Sequence, residues 1–453
     1  MPVCATILYK KTSITSQNPS DIVESNRDFL KFAYSIDFIM NESPKAAIIG
    51  GGAAGFFAAI ALKERRPDMA VTIYEAQARV LSKLALTGGG RCNLSNTFAE
   101  VANLQDIYPR GARLMKKCFY EFDHNAAWLW FEQHNVKLYA QDDGRVFPVS
   151  NRATEITDML VNEACRLGVE VLTLHRLERI SHSGDGYCLH FTGVNTTKQA
   201  GVVIVATGGF QMLSESGTFL GLSLKTVPPV PSLFAFDIRD NRLRALSGLG
   251  CQQTVVRLPG TNFCAQGDLL VTHFGLSGPA VLKLSSYAAR YLSDNRYRAL
   301  LSVNWTGQNE ESVRLLLRQA LQGNHLKQMG SVKWPGLGSR LWQHLLKRAE
   351  TESTMLCADI GKKQQNKLVN ILTNDEYLMS GKATNKDEFV TCGGVSLSAI
   401  RPSSMESVDY QGLYFIGEAL DIDAVTGGFN LQAAWTTAFI AARHIATLFC
   451  RPK

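Results

Sequence analysis

An apolar run, a glycine turn and an alanine-rich helix constrain this chain more than any other feature. The segment KAAIIGGGAAGFFAAIALKERRPD (45–68) opens as a buried strand, and Gly50, Gly52 and Gly55 then fall in the spacing G-x-G-x-x-G. The stretch from about Ala53 to Arg66 is alanine-rich and ends in charge before Pro67, as a helix does. A second strand, MAVTIYEA (69–76), carries Glu75 and Ala76 at its end. Each part has a task in dinucleotide binding. Gly50 makes the tight turn, Gly52 lets backbone approach a pyrophosphate, and Gly55 lets the helix lie close on the strand. Ala53 and Ala54 open the helix, where free N–H groups and the dipole favour negative charge. Glu75 is placed to accept hydrogen bonds from a ribose.

The same region could be mistaken for a membrane span. Ala46 to Leu62 is uncharged, but it is short for a span and carries Gly50, Gly51, Gly52 and Gly55 where a span would have leucines. It also lies too deep in the chain for a signal peptide, so no membrane partner is expected. At 453 residues the chain is too long for one small core, and 45% hydrophobic with 19% charged residues reads as an ordinary soluble protein. The net charge of +7 comes with no dense Lys/Arg block interleaved with aromatics, so nucleic acid is not the expected partner. Ten cysteines stand without a C-x-x-C pair, which excludes a zinc ribbon or a small disulfide framework and suits a reducing cytoplasm. No metal site is expected. Residues 1–44 lack any turn-and-strand rhythm and read as a poorly ordered extension, with translation expected to start at Met40.

The choice between nicotinamide and flavin rests on the chain beyond Ala76. No second G-x-G-x-x-G stands in a strand-helix setting, and Cys92 has no thiol partner nearby, so a two-dinucleotide disulfide-reductase plan lacks its parts. A tightly held FAD accounts for the pattern better than NAD. Further pieces suit it. GVEVLTLHRLERIS (168–181) gives two short strands around Leu177, where backbone is expected to meet the adenine. AGVVIVATGGF (200–210) runs into a turn at Ala206, Thr207, Gly208 and Gly209. GLYFIGEALDIDAVTGGFNLQAAWTTAFIAARHIATL (412–448) reads as a strand, Gly417-Glu418, an acidic loop with Asp421, a Gly427-Gly428 turn, and a long helix from near Asn430. That helix start, with Phe429 and Leu431 beside Asn430, would stabilise negative charge on a reduced flavin.

Between these pieces lies an insertion. VPPVPSLFAFDI (227–238) begins it, short strands follow to about 305, and from Asn309 to about Leu378 the spacing turns helical. The expected division is a discontinuous FAD-binding domain over 45–210 and 386–453, a β-rich insert over 211–308, and a helical insert over 309–385.

One motif remains. LTGGGRCNLSN (86–96) sets three glycines beside an arginine and a thiol. No Gly-Lys-Ser/Thr follows, so it is not a P-loop. It reads as a loop running against the flavin, with Thr87, Gly88, Gly89, Gly90, Arg91, Cys92 and Asn93 as contacts. Cys92 is expected to be a packed filler rather than a reactive centre. Arg91, Cys92 and His273, which stands beside a Gly-Leu-Ser-Gly-Pro turn, are weak catalytic candidates.

Taken together, IIGGGAAG (48–55), KLALTGGGRCNLSN (83–96), ATGG (206–209), THFGLSGPAV (272–281), TCGGVSL (391–397) and GEALDIDAVTGGFNLQAAW (417–435) resemble a bacterial flavoprotein family described as NAD(P)/FAD-dependent oxidoreductases or aminoacetone-oxidase-like FAD-binding enzymes, a bile-acid-pathway flavoprotein among them. The resemblance covers about 45–450. It implies an α/β fold, a Rossmann-like FAD-binding domain of the two-dinucleotide-fold flavoprotein type interrupted by a β-barrel-like and a small helical insert. It also implies FAD contacts from the glycines of 50–55, Glu75, Lys83, the 87–93 loop, Gly417, Glu418 and the 427–431 turn. Leu81 and Ser82 stand where members often carry Gly-Arg, and Ala424 and Phe429 replace a common Gly and Tyr. The expected activity is FAD-dependent oxidoreduction, with hydride moving through flavin N5 to or from a small organic substrate and NAD(P)H as a transient reductant. An FAD-dependent RNA-modifying enzyme and a non-catalytic flavin redox sensor are the alternatives.

Overall fold

Five parallel strands form the first sheet: β1 (Lys45–Ile49), β2 (Ala70–Tyr74), β3 (Glu170–Leu172), β4 (Val202–Val205) and β5 (Leu413–Phe415), in the order β3-β2-β1-β4-β5. The computed structural model describes residues 45–183, 186–194, 196–209, 219–383 and 390–449; the expected extension 1–44, Phe210 and the first residues of the second FAD-domain segment lie outside them. In β1, Ile48 lies beside Ile73 of β2 and Ile204 of β4. Both β1 and β4 are apolar along nearly their whole length because the sheet is covered on both faces. The strand order reverses between β1 and β4, which opens a crevice at their carboxyl ends.

Helix α1 (Ala53–Arg65) packs against the sheet and against the last helix, and ten of its residues are buried. Its alanines let the two helices approach, while Phe57 and Trp435, neither of them exposed, meet with ring centres 5.4 Å apart. Burying a side chain of this size contributes about 1.5–3 kcal/mol. Lys63 is buried too, and its ammonium donates to the carbonyls of Pro67 (2.7 Å) and Met69 (3.0 Å), fixing the turn into β2. A second helix, α2 (Ser82–Gly90), is regular only as far as Leu86.

The insertion forms a closed six-stranded barrel from Phe236–Ile238, Gly275–Ser277, Cys264–Val271, Gly250–Arg257, Ala299–Asn304 and Asp375–Lys382. Helix α3 (Pro279–Tyr287) packs on it, with proline in its first turn. The last barrel strand lies in the stretch that the spacing predicts as helical. It does alternate inside and out, but its first inward residue is Asp375 rather than an apolar one. That carboxylate is fully buried and accepts from Trp305 Nε1 (2.9 Å), Tyr377 Oη (2.6 Å) and Arg348 Nε (2.5 Å). Burial drives its pKa up against these three donors. The helices Glu310–Gly323, Ser339–Arg348 and Lys362–Asn374 sit between the last two barrel strands in sequence and share one apolar core with the barrel, including Trp305, Val313, Trp342 and Leu368.

Two chain crossings join the halves. Thr226–Ser232 and Val390–Val395 pair as an antiparallel ribbon. Beside it Asp423, fully buried, accepts from Ser232 Oγ (2.8 Å) and is ion-paired to Arg110, which also donates to the Ser286 carbonyl (2.7 Å). Among the described residues no helix is long and apolar enough to cross a membrane.

Candidate functional site

At the crevice between β1 and β4 a cleft of about 1460 Å³ runs between the sheet and the insert. Ordinary ligand pockets hold roughly 300–1,000 Å³, so the space suits an extended dinucleotide and a second molecule.

Its first wall is the glycine turn. Gly50 has φ +114°, and a Cβ there would land on the Ala206 carbonyl oxygen at the end of β4. Gly52 is the N-cap of α1 with no side-chain cap, and a Cβ there meets nothing within 4 Å. Gly52, Ala53 and Ala54 line the cleft, so the start of α1 offers unsatisfied N–H groups to it. Glu75 is fixed by two backbone donors, Gly51 N–H on Oε2 (2.7 Å) and Gln77 N–H on Oε1 (2.8 Å). A carboxylate so held still has acceptor capacity for two hydroxyls.

The second wall is the glycine run. The helical path of α2 breaks at Thr87, and Gly88, Gly89 and Gly90 follow with φ of +60°, +68° and +81°. Three adjacent glycines are what three consecutive left-handed residues require. The loop is stitched to the turn before α4 (Phe429–Leu448). With its amide oriented to satisfy both ends, Asn93 donates to the Ser95 carbonyl (3.1 Å) and accepts from Gly428 N–H (3.0 Å). Asn96 Nδ2 donates to the Gly427 carbonyl (3.0 Å), Ser95 Oγ to Gln432 (2.6 Å), and Trp435 Nε1 to the Leu94 carbonyl (2.9 Å). Asn430 closes the turn by bonding both backbone groups of Ala424 at 2.9 Å. Gly428 caps α4 without a side-chain bond, so a second open helix start faces the same cleft. Across the floor, Glu418 accepts from Lys83 Nζ (2.7 Å) and from Thr391 N–H (2.7 Å).

Most of the residues expected to hold the cofactor line this cleft. Besides those above they include Ala76, Leu177, Ala206, Thr207, Gly208, Gly209, Gly417 and Leu431. Five do not. Gly55 serves packing, since a Cβ there would land on the Gly50 carbonyl oxygen. Gly90 lies past the part of the loop that meets the cleft. Asp421 is held by Arg290 through both oxygens (2.8 and 2.9 Å). Arg91 turns back, its guanidinium 4.4 Å from the Phe147 ring centre and its Nε on the Gly88 carbonyl (3.2 Å). Cys92 is fully buried behind the loop, and burial pushes its thiol up to about 12 despite a hydrogen bond from Thr87. The last of the catalytic candidates, His273, is exposed and does not line the cleft. None of the three candidates lines the cleft.

The opposite wall comes from the insert and the ribbon: Pro231, Leu233, Asp268, Pro279, Leu282, Lys283, Lys382, Val390 and Thr391. Sequence reasoning missed it. The one available signal was the spacing of Pro279, Leu282 and Lys283 on a helix face.

The glycine cradle, two uncapped helix starts and an anchored carboxylate together suit FAD. The family model described as the HI0933-like protein Rossmann domain matches residues 44–444. A ribosomal RNA dihydrouridine synthase of Haemophilus influenzae is 28% identical over 90% of this chain and 100% of its own length. A protein of the same description from Escherichia coli is 29% identical over 88% of this chain and 97% of its own. A 3-dehydro-bile acid delta(4,6)-reductase of Clostridium scindens is 27% identical over 89% of this chain and 99% of its own.

Proposed function

The chain belongs to the HI0933-like Rossmann-domain family of FAD-dependent oxidoreductases, and from that premise we propose that it reduces a carbon–carbon double bond conjugated to a carbonyl in a small organic molecule. The observation that carries this reading is one cleft in which two open helix starts and a glycine cradle face a partly apolar wall from the insert. The names of the relatives support a reduction: one is a dihydrouridine synthase and another a delta(4,6)-reductase.

When bound, FAD supplies a hydride at flavin N5, with NAD(P)H as the proposed reductant. The chain's residues do the rest. The N–H groups at Gly52–Ala54 would hold the pyrophosphate, and Glu75 would accept from ribose hydroxyls. Lys83 and Glu418 hold the Thr391 strand against the cofactor stripe, which keeps the insert wall in place. The start of α4 at Gly428–Leu431 favours negative charge developing beside it. Pro231, Leu233 and Leu282 exclude water from the insert end. The proton that completes the addition is not assigned to His273, Arg91 or Cys92. Eight free cysteines among the described residues support a cytoplasmic reading.

The test is anaerobic reduction of the holoprotein followed by mixing with enones, quinones and oxygen. Enones are expected to reoxidise the flavin fastest; a reduced protein inert to every enone would overturn the proposal. Failure of NADH and NADPH to bleach the flavin at millimolar concentration would favour a redox sensor. RNA modification is the second reading, favoured by the names of two relatives. It requires salt-dependent retention of an rRNA fragment.

A further inference from the structure

The insert end of the cleft has its own chemistry. Pro279, Leu282 and Lys283 of α3 stand at i, i+3 and i+4, one face of the helix, and all three line the cleft. The other face is locked: Ala280, Val281 and Leu284 are fully buried in the barrel core. The C-terminal end is tied down as well, with the Ser286 carbonyl accepting from Arg110 (2.7 Å) and Tyr287 Oη donating to the Asp106 carbonyl (2.9 Å). α3 therefore presents Lys283 from a rigid support. Lys283 is half-buried and has neither an ion pair nor a hydrogen bond among the described residues. Lys382 lines the same cleft, its ammonium 5.0 Å from the Tyr297 ring centre.

Of the acids that line the cleft, all but Glu100 already accept a hydrogen bond from the protein. Glu75 binds backbone N–H groups, Glu418 pairs with Lys83, and Asp143 pairs with Arg145 at 2.7 Å. Asp268 is exposed and accepts from Gln253 N–H (3.2 Å), and Glu100 is exposed. Lys283, a partly buried side chain beside Pro279 and Leu282, brings a cation to this wall with no protein partner among the described residues. A carboxylate arriving on a ligand would supply that partner on a surface that is already ordered.

We propose that the insert end of the cleft is a subsite for a carboxylate carried on an apolar body, with Lys283 as its anchor and Pro231, Leu233, Pro279 and Leu282 as its apolar bed. The reductase reading decides only which molecule brings the carboxylate here. A phosphodiester chain calls for several exposed cations along a surface, whereas this is a part-buried cation among apolar side chains.

The test titrates holoprotein with a straight-chain enone bearing a terminal carboxylate and with its primary amide, reading Kd from the flavin absorption change. The carboxylate is expected to bind about tenfold tighter, the lower end for a charge-assisted hydrogen bond. Lys283→Gln should remove that preference while leaving amide affinity unchanged, and Lys283→Arg should restore it. Lys283→Met, which keeps the apolar stem, should behave as Lys283→Gln does. Equal affinities in the wild type, or a preference that survives both neutral variants, would overturn the subsite. So would a Lys283→Gln protein that loses only retention of an rRNA fragment. Reoxidation of the reduced flavin separates the two readings. If the amide reoxidises it as fast as the carboxylate with no charge preference in Kd, the subsite fails and the reductase stands. If neither reoxidises it but the Kd preference holds, the reverse is true.

Discussion

Two glycines of one motif should respond to alanine in opposite ways. At Gly52 the backbone has φ −91°, open to any residue, and a Cβ meets nothing within 4 Å. Gly52→Ala therefore leaves the cofactor-free fold intact, and by restricting the unfolded chain it adds about 0.4–1 kcal/mol of stability. The new methyl stands where the start of α1 opens to the cleft, and it holds a pyrophosphate off the helix N–H groups. Losing one charge-assisted hydrogen bond there, about 1.5–3 kcal/mol, weakens FAD binding roughly 10- to 150-fold. At Gly55 the Cβ would land on the Gly50 carbonyl oxygen, in a layer where Ile48, Phe56 and Phe57 have no exposure. Gly55→Ala forces α1 away from β1, at about 1–3 kcal/mol for overpacking. That lowers Tm by roughly 2–10 °C on the usual scaling with domain size. The assay is thermal unfolding of both variants stripped of FAD, together with titration by FAD fluorescence. The reasoning is refuted if stripped Gly52→Ala melts as low as Gly55→Ala, or if it binds FAD with wild-type affinity.

Other consequences can be measured directly. Cys92→Ser should keep FAD and turnover, and iodoacetamide should spare Cys92 in the folded protein while labelling the exposed Cys165 and Cys264; modification of Cys92 would restore a reactive thiol. Arg110→Met leaves Asp423 buried and unpaired, so stability in urea should fall by about 3–5 kcal/mol, and adding Asp423→Asn should recover part of it. At His134, burial lowers the pKa, but the hydrogen bonds with Glu64 and the Trp130 carbonyl and the charge of Glu163 outweigh it, and the net shift is upward. A raised histidine pKa contributes stability that is full below the unfolded value near 6.5 and lost as pH rises through the folded value. His134→Gln should therefore lower Tm at pH 6 and leave it unchanged at pH 9; an equal loss at both would show that the ring serves packing.

The parts of the site that were legible in the sequence are those set by local backbone. Gly50, Gly52 and Gly55, the open start of α1 and the Gly427-Gly428 turn each follow from what one short segment must do, whatever lies around it. The left-handed run at Gly88, Gly89 and Gly90 belongs with them, because few other residues hold that conformation. Side chains whose destination depends on a distant partner were not legible. Arg91 follows the glycines and reads as a site residue, yet the turn that the glycines make swings it onto Phe147 and buries Cys92 behind the loop. Asp421 lies in an acidic loop beside the cofactor motif, but Arg290 of the insert takes both of its oxygens. Lys83 and Glu418 were both expected at the cofactor and do line the cleft, but the ion pair that joins them across 335 residues left no signal in the sequence.

The barrel shows the same division from the other side. A strand announces itself by apolar alternation, and Asp375–Lys382 breaks that pattern with an inward aspartate. The break is tolerated only because Tyr377 of the same strand, Trp305 just past the neighbouring one and Arg348 of a helix converge on one carboxylate. A buried acid with these donors specifies where the last strand must sit, since slipping by one residue would turn Asp375 out, leave Trp305 Nε1 without its acceptor and cost Arg348 its buried partner. The register of that strand in turn fixes Lys382 at its end, on the cleft wall. The polar knot that hid the strand from pattern reasoning is thus what holds one end of the insert wall of the cleft. Asp375→Asn, which keeps the shape but loses the charge facing Arg348, should lower stability and loosen this wall while the glycine cradle, built on a separate core, keeps its affinity for FAD. Loss of FAD binding in Asp375→Asn at a temperature where it remains folded would show that the two cores do not act separately.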